Sequence, residues 1–90
     1  MRKHGRVDSN QDDIVKALRK VGASVWITSS MGDGGPDLVV GYHDAENYLL
    51  EVKAGDGALT DDELTFRDTW RGQYAVVRTP EQALQAIGAI

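Results

Sequence analysis

Apolar residues recur along the chain first with the period of a helix and then with that of strands. Ile14, Leu18 and Val21 are spaced at i, i+4 and i+7, so they fall on one face of a helix. Ser9 or Asn10 is placed to cap the start of this helix with a side-chain oxygen. The pattern therefore predicts a first helix that packs through a single apolar stripe.

Four later runs of β-branched, aromatic and other apolar residues predict four strands. Thr60 and Glu63 have the spacing of a capping box, which opens a second helix, and Pro80 is suited to the first turn of a third. The predicted strands are SVWIT at 24–28, DLVVGY at 37–42, NYLLEVK at 47–53 and QYAVVR at 73–78, and the later helices are 60–71 and 80–89.

The order α-β-β-β-α-β-α predicts an α/β domain built on a mixed sheet. The first three strands form an antiparallel meander, and the helix at 60–71 makes a right-handed crossover to the fourth. We expect this helix to anchor on one face of the sheet through Leu64, Phe66 and Trp70, and the first helix to cover part of a face. We expect Trp26 and Trp70 in the core; the alternative is that they are platforms on which nucleobases stack.

Ninety residues leave no room for a second core, so we expect one domain over 1–90, with a flexible basic tail at 1–8. Cysteine is absent, which excludes disulfides and thiolate metal sites within this sequence and fits a reducing cytoplasm. No apolar run approaches the length that spans a membrane. We therefore expect a soluble, intracellular protein that has no contact with a membrane.

Two charged residues, Glu51 and Lys53, alternate with apolar ones in the third predicted strand, so both point to one face of the sheet. With a turn near 43–46, residue 51 lies roughly opposite residue 38, and Asp37 lies about one residue from Glu51 on a strand ~4.8 Å away. Two carboxylates at this separation repel unless a cation bridges them. Oxygen ligands without cysteine or a histidine cluster favour Mg²⁺ or Mn²⁺ over zinc.

The plainest interpretation of these charges is a solvated strand face, with Asp37 as a turn residue. Three glycines in the preceding loop, at 32, 34 and 35, shift the balance towards a site. They remove side chains from the approach to Asp37, as a loop that admits a bulky ligand requires.

The segments PDLVV and LLEVK resemble the PD-(D/E)XK nuclease signature, with Pro36-Asp37 followed by Glu51-Val52-Lys53. The longer pattern GGPDLVVGY, YLLEVKAG and LTDDELTFRDTWRG is similar to the small virus-type replication and repair nucleases (VRR-NUC) over about 32–72. This resemblance implies a restriction-endonuclease-like α-β-β-β-α-β core. It also implies an intracellular protein of phage, prophage or bacterial origin.

The resemblance implies that Asp37 and Glu51 bind Mg²⁺ or Mn²⁺, with the backbone carbonyl of Val52 as a further ligand. Such a metal polarises the scissile phosphate and lowers the pKa of a bound water. Lys53 would then orient or deprotonate the water, or neutralise charge on the phosphoryl oxygens. We expect a neighbouring dication to depress the pKa of Lys53. The implied products are a 5′-phosphate and a 3′-hydroxyl.

Members of this family often carry an acidic residue on the first helix that reaches the metal or its waters. Here the apolar stripe extends back to Gln11 and Asn10, which are both amides, and we choose Gln11 for the inward, catalytic position. We interpret Asp13 as a solvated charge that complements the helix dipole. Many relatives have glutamine in the helix after the lysine, where this chain has Glu63, interpreted here as a capping residue.

The chain is acidic, with a net charge of −4, so we expect DNA to be held away from the carboxylates at 56–63. The basic residues available for phosphate contacts are Arg2, Lys3, Arg6, Lys16, Arg19 and Lys20. The resemblance implies a homodimer that resembles Holliday-junction resolvases and cuts junctions, flaps or other branched DNA. Two alternatives stay open: a catalytically silent nuclease-like module for DNA binding or assembly, and a metal-dependent enzyme acting on a small phosphorylated substrate.

Overall fold

A computed structural model describes residues 10–90 of the protein and shows the seven predicted elements in the predicted order. They are helix α1 at Gln11–Lys20, strands β1 at Ser24–Ile27, β2 at Leu38–Tyr42 and β3 at Glu46–Val52, helix α2 at Asp61–Thr69, strand β4 at Tyr74–Val77 and helix α3 at Pro80–Ala86. Helix α2 ends at Thr69 rather than near Arg71, because Trp70 has extended backbone. The predicted tail at 1–8 lies outside the described residues. Within 10–90, no helix combines the length and the apolar character needed to cross a bilayer.

The four strands form one sheet in the order β1-β2-β3-β4. The first three pair antiparallel and β4 pairs parallel to β3, which confirms the predicted meander and helical crossover in a mixed sheet. The hairpin register is one residue away from the prediction, because Leu38 pairs with Leu50 rather than with residue 51. The turn takes three residues instead of four, so that Glu46 already pairs with Tyr42. If the pairing of β2 with β3 is continued by one residue beyond Leu38, Asp37 lies opposite Glu51.

One face of the sheet carries the core. Alternate strand residues and the inward residues of α1 and α3 form a single buried cluster, which includes Ile14, Val15, Leu18, Leu38, Val40, Leu50, Val52, Val77, Ala83 and Ile87. Val21 does not continue the predicted stripe. It is the C-cap of α1 and is exposed, while Val15 is buried in its place. The helix ends at Lys20, directly before Val21, so the side chain of Val21 does not continue the buried stripe.

Within residues 10–90, α2 is the one helix on the opposite face, and it covers that face thinly. This helix contributes no buried residue: Leu64 and Phe66 are half-buried and Trp70 is 46 % exposed. Trp26 is 60 % exposed on the edge strand β1. The prediction that both tryptophans are in the core is therefore wrong. Of the three predicted anchors of α2, Leu64 and Phe66 are partly buried and Trp70 is not an anchor. A helix of nine residues is too short to bury this face of a four-stranded sheet.

The glycine loop before β2 packs against the start of α2. Gly34 has a φ of +71°, and a Cβ at this position would collide with the backbone of Asp62. A Cβ on Gly32, by contrast, would meet nothing within 4 Å. Gly34 therefore allows a close approach of the loop to α2, which is a packing role in addition to the open approach predicted for the loop.

Candidate active site

Asp37 is fixed to the neighbouring strands by main-chain hydrogen bonds. Its N–H donates to the Leu50 carbonyl oxygen over 3.1 Å, and its carbonyl oxygen accepts from the Thr28 N–H over 2.7 Å. The carboxylate is held as well, because Oδ2 accepts a hydrogen bond from the Val52 N–H over 2.8 Å. Asp37 is thus set between β1 and β3, with its side chain on the thinly covered face beside Glu51, as the sequence predicts.

Glu51 is the buried carboxylate of the site. It is 2 % exposed, and its Oε1 atom is buried without a hydrogen-bond partner. The pKa of Glu51 is raised to about 9, first by burial and then by the charges of Asp37 and Glu63, against the opposing effect of Lys53. A buried oxygen without a partner is costly, so this position favours either a proton or a cation.

Lys53 lies between two carboxylates. Its Nζ atom is 3.5 Å from Glu51 Oε2 and 2.7 Å from Glu63 Oε1. Burial lowers the pKa of Lys53, but the hydrogen bond and charge of Glu63 and the charge of Glu51 outweigh burial and raise the pKa above its ordinary value. The direction is opposite to the one expected from a neighbouring dication, because the charges next to the ammonium are carboxylates.

Glu63 belongs to the site as well as to the capping box. The box is confirmed: Glu63 N–H donates to Thr60 Oγ1 over 3.2 Å, and Glu63 Oε1 accepts from the Thr60 N–H over 2.9 Å. The same Oε1 atom forms the short ion pair with Lys53. Burial raises the pKa of Glu63, but the bonds from Lys53 and Thr60 outweigh it and lower the pKa. The interpretation of Glu63 as a capping residue was therefore incomplete.

Gln11 lies inward, at the start of α1, as predicted. It is 3 % exposed, and its Oε1 accepts a hydrogen bond from Ser29 Oγ over 3.2 Å. The same hydroxyl is 3.5 Å from the Asp37 carbonyl oxygen. Gln11 is thereby connected to the backbone of Asp37 through Ser29.

Asn10 occupies the N-cap position of α1, but its side chain makes no capping hydrogen bond. Its Nδ2 instead donates to the carbonyl oxygens of Lys53, over 3.0 Å, and Arg78, over 2.9 Å. The amide therefore ties the start of α1 to the ends of β3 and β4. This long-range role replaces the predicted cap, because both amide hydrogens are used between the two strands.

Tyr74 is a residue of the site that the sequence pattern did not reveal. Its hydroxyl is buried without a hydrogen-bond partner. The pKa of Tyr74 is raised to about 12, first by burial and then by the charges of Glu51 and Glu63. In the sequence Tyr74 is an ordinary strand residue, and only the parallel pairing of β4 with β3 brings it to the carboxylates.

The donor atoms of the site fit a small hard cation. Among residues 10–90, no group of three or more histidine, cysteine, aspartate or glutamate side chains is arranged to hold a metal. Asp37 and Glu51 form a smaller set, with the backbone of Val52 beside them. Mg²⁺ commonly uses one or two carboxylates and completes its octahedron with waters and substrate phosphates. The buried, unpartnered Oε1 of Glu51 is the observation that fits such an ion.

The predicted DNA-binding residues that the structure describes are not gathered at this site. Lys16, Arg19 and Lys20 are exposed on the later part of α1, whereas Gln11, at its beginning, approaches Asp37. At ~1.5 Å per residue, the basic end of α1 is up to ~14 Å further along the helix axis. Three further candidates, Arg2, Lys3 and Arg6, lie outside the described residues.

Comparisons of the chain with models of protein families, with curated proteins and with solved structures found no match. The likeness to PD-(D/E)XK nucleases therefore depends on the motif residues themselves. What these residues can do chemically depends on the geometry described above.

Proposed function

We propose that this protein is a Mg²⁺- or Mn²⁺-dependent endonuclease that hydrolyses phosphodiester bonds in branched DNA, such as flaps or Holliday junctions. The observation that carries the proposal is Glu51, a buried carboxylate with an unpartnered oxygen, beside Asp37 and Lys53 on one face of the sheet. A purely solvated strand face would leave these side chains in water. Here they are enclosed and grouped, which suits a cation and a phosphate.

Each residue has a role that follows from its position. A divalent ion held by Asp37, Glu51 and the Val52 carbonyl would polarise the phosphate as a Lewis acid. Lys53, held at the site by Glu63 and Glu51, orients the attacking water or donates hydrogen bonds to the phosphoryl oxygens. It would deprotonate the water only where the bound cation lowers the pKa of Lys53, which the carboxylates alone raise. Water then adds to phosphorus as the bond to O3′ breaks, which leaves a 5′-phosphate and a 3′-hydroxyl.

Gln11 supports the geometry in this proposal. Its amide is connected to the backbone of Asp37 through Ser29, so we assign it to positioning rather than to the reacting atoms. The antiparallel meander followed by a helical crossover is the order expected of a restriction-endonuclease-like core. A homodimer, as the resemblance to VRR-NUC proteins implies, would supply one such site for each of two strands.

Cleavage of labelled DNA tests the proposal directly. Linear duplex, flap and four-way junction DNAs are incubated with the protein in EDTA, Mg²⁺ or Mn²⁺, and the ends of the products are identified. We expect metal-dependent cleavage of the branched DNAs, which Asp37→Asn abolishes and Asp44→Asn retains. Asp44 is the matched control, because it is an exposed carboxylate in the hairpin turn at the far end of the same strands. Binding of DNA without cleavage in any metal would instead identify a silent nuclease-like module.

A further inference from the structure

Beside the candidate site, the thinly covered face carries a groove of about 320 Å³. The groove is mostly apolar, and aromatic side chains come to it from two different elements. Its lining includes Trp26, Met31, Val39, Leu49, Phe66 and Trp70. We call it the tryptophan groove.

The large side chains of the tryptophan groove are left in water. Trp26 is 60 % exposed, Met31 63 % and Trp70 46 %. Contiguous exposed apolar groups of this size mark binding surfaces more often than isolated ones do. Trp70 is also held in place by stacking on Phe66, with ring centroids 5.3 Å apart and an angle of 12° between the planes. It therefore presents a flat, fixed surface.

The tryptophan groove has two walls, Trp26 on one side and Phe66 with Trp70 on the other. They lie at opposite ends of a row of side chains that crosses the sheet. Trp26 pairs with Val39, Val39 with Leu49, and Leu49 with Tyr74, so these side chains cross the sheet from β1 to β4 on one face. The ring of Phe66 lies 5.9 Å from that of Tyr74. Trp26 thus borders the row on the β1 side, and Phe66 with Trp70 on the β4 side.

The floor of the groove continues into the carboxylate site. Val39 follows Asp37 by two residues on β2, and Leu49 precedes Glu51 by two residues on β3. Residues two apart on a strand face the same way, about 7 Å from each other. A phosphate at the carboxylates therefore sets the neighbouring part of its own nucleotide over Val39 and Leu49. That neighbouring surface is apolar and aromatic, which suits a base and not a second phosphate.

We propose that the tryptophan groove binds an unpaired nucleobase next to the scissile phosphate, through stacking on Trp26 and Trp70. The proposal rests on the proposed nuclease function, since it places the phosphate of the same nucleotide at Asp37 and Glu51. A base in a continuous duplex is already stacked, so the groove selects DNA that offers an unpaired nucleotide at the cleavage position. It is tolerant of sequence, because every base has a face on which an indole can stack.

Binding to DNA with a single missing base tests this proposal. Affinity is measured in Ca²⁺ for branched oligonucleotides that carry one abasic nucleotide, placed in turn at each unpaired position around the branch. At one position the wild type is expected to bind about 5- to 150-fold more weakly than to the DNA with the base, the range for loss of one stacked base. Trp26→Ala and Trp70→Ala bind both DNAs equally weakly, and Trp26→Phe restores most of the difference.

Ile27→Ala is the matched control. Ile27 is 48 % exposed on the same edge strand as Trp26 but points to the other face of the sheet. The Ile27→Ala variant should therefore keep the full difference in affinity between the two DNAs. If the wild type cleaves DNA but binds every abasic DNA as tightly as the DNA with the base, the groove proposal is overturned. The nuclease proposal then still holds. Binding that depends on the base, without cleavage in Mg²⁺ or Mn²⁺, would overturn the nuclease proposal and leave the groove as a site that binds a base. If sedimentation shows that Trp26→Ala only converts a dimer to monomers, the groove is a contact between two copies and the proposal fails.

Discussion

Replacement of Glu51 by glutamine should make the metal-free protein more stable at neutral pH, although it removes a carboxyl group that lies beside Lys53. Burial and the neighbouring carboxylates raise the pKa of Glu51 from 4.5 to about 9, so the folded protein retains a proton that the unfolded chain releases above about pH 4.5. The unfolded state then binds fewer protons than the folded state. The free energy of unfolding therefore falls as pH rises between about 4.5 and 9.

The expected size of this effect is large for a small domain. By pH 7 the free energy of unfolding of the wild type has fallen by on the order of 3 kcal/mol relative to pH 4.5, at ~1.4 kcal/mol per pH unit. Such domains are stable by only about 5–15 kcal/mol in all. Glutamine has nearly the same shape and no proton to lose, so Glu51→Gln should show little of this slope and exceed the wild type at pH 7 by up to ~3 kcal/mol.

Urea denaturation between pH 5 and pH 8, in EDTA, measures the slope for the wild type and for Glu51→Gln. Glu46→Gln is the control, because Glu46 is an exposed carboxylate on the same strand. Glu63 and Lys53 do not titrate in this window, because the pKa of Glu63 is lowered and that of Lys53 is raised. Saturating Mn²⁺ should stabilise the wild type, by ~2.7 kcal/mol at a hundred times Kd, and leave Glu51→Gln nearly unchanged. A wild-type free energy that is flat or rises from pH 5 to pH 8 would refute the reasoning.

Three further predictions concern metal, catalysis and DNA. Asp37→Asn should keep the fold and weaken Mn²⁺ binding in a calorimetric titration; equal affinities would exclude Asp37 as a ligand. Lys53→Ala should lower the single-turnover cleavage rate by ~10²–10⁴ with metal affinity intact, and a fall below about threefold would make Lys53 structural. Deletion of residues 1–6 should flatten the log–log dependence of DNA affinity on salt by roughly two to three units, and an unchanged slope would mean that Arg2, Lys3 and Arg6 contact no phosphates.

The convergence of Asp37, Glu51 and Lys53 could be predicted because it depends on local rules. Strand alternation places Glu51 and Lys53 on one face, and a hairpin must return its strands side by side. The register was wrong by one residue because the turn closes over three residues, with positive φ at His43 and Ala45. Neither is a glycine or asparagine, so the usual sequence signal of such a turn is missing.

The environment of the site could not be predicted in the same way. Alternation shows which residues share a face but not whether a second layer covers that face, so Trp26 and Trp70 were assigned to the core. The ion pair of Lys53 with Glu63 and the approach of Tyr74 to the carboxylates depend on where the crossover helix and β4 come to lie. These are contacts between distant parts of the chain, and the pattern within any one segment carries no record of them.

The amide of Asn10 has a consequence for the order in which a newly made chain matures. Its two acceptors, the carbonyls of Lys53 and Arg78, are 43 and 68 residues away in the sequence. A ribosome releases the start of α1 long before β4. The pair of hydrogen bonds from Asn10 is therefore complete only when the chain has emerged as far as Arg78. Because one acceptor belongs to Lys53 itself, the backbone of the candidate site is fully secured only after Arg78 has been made. An unfinished chain would thus carry the motif residues without the framework that holds them.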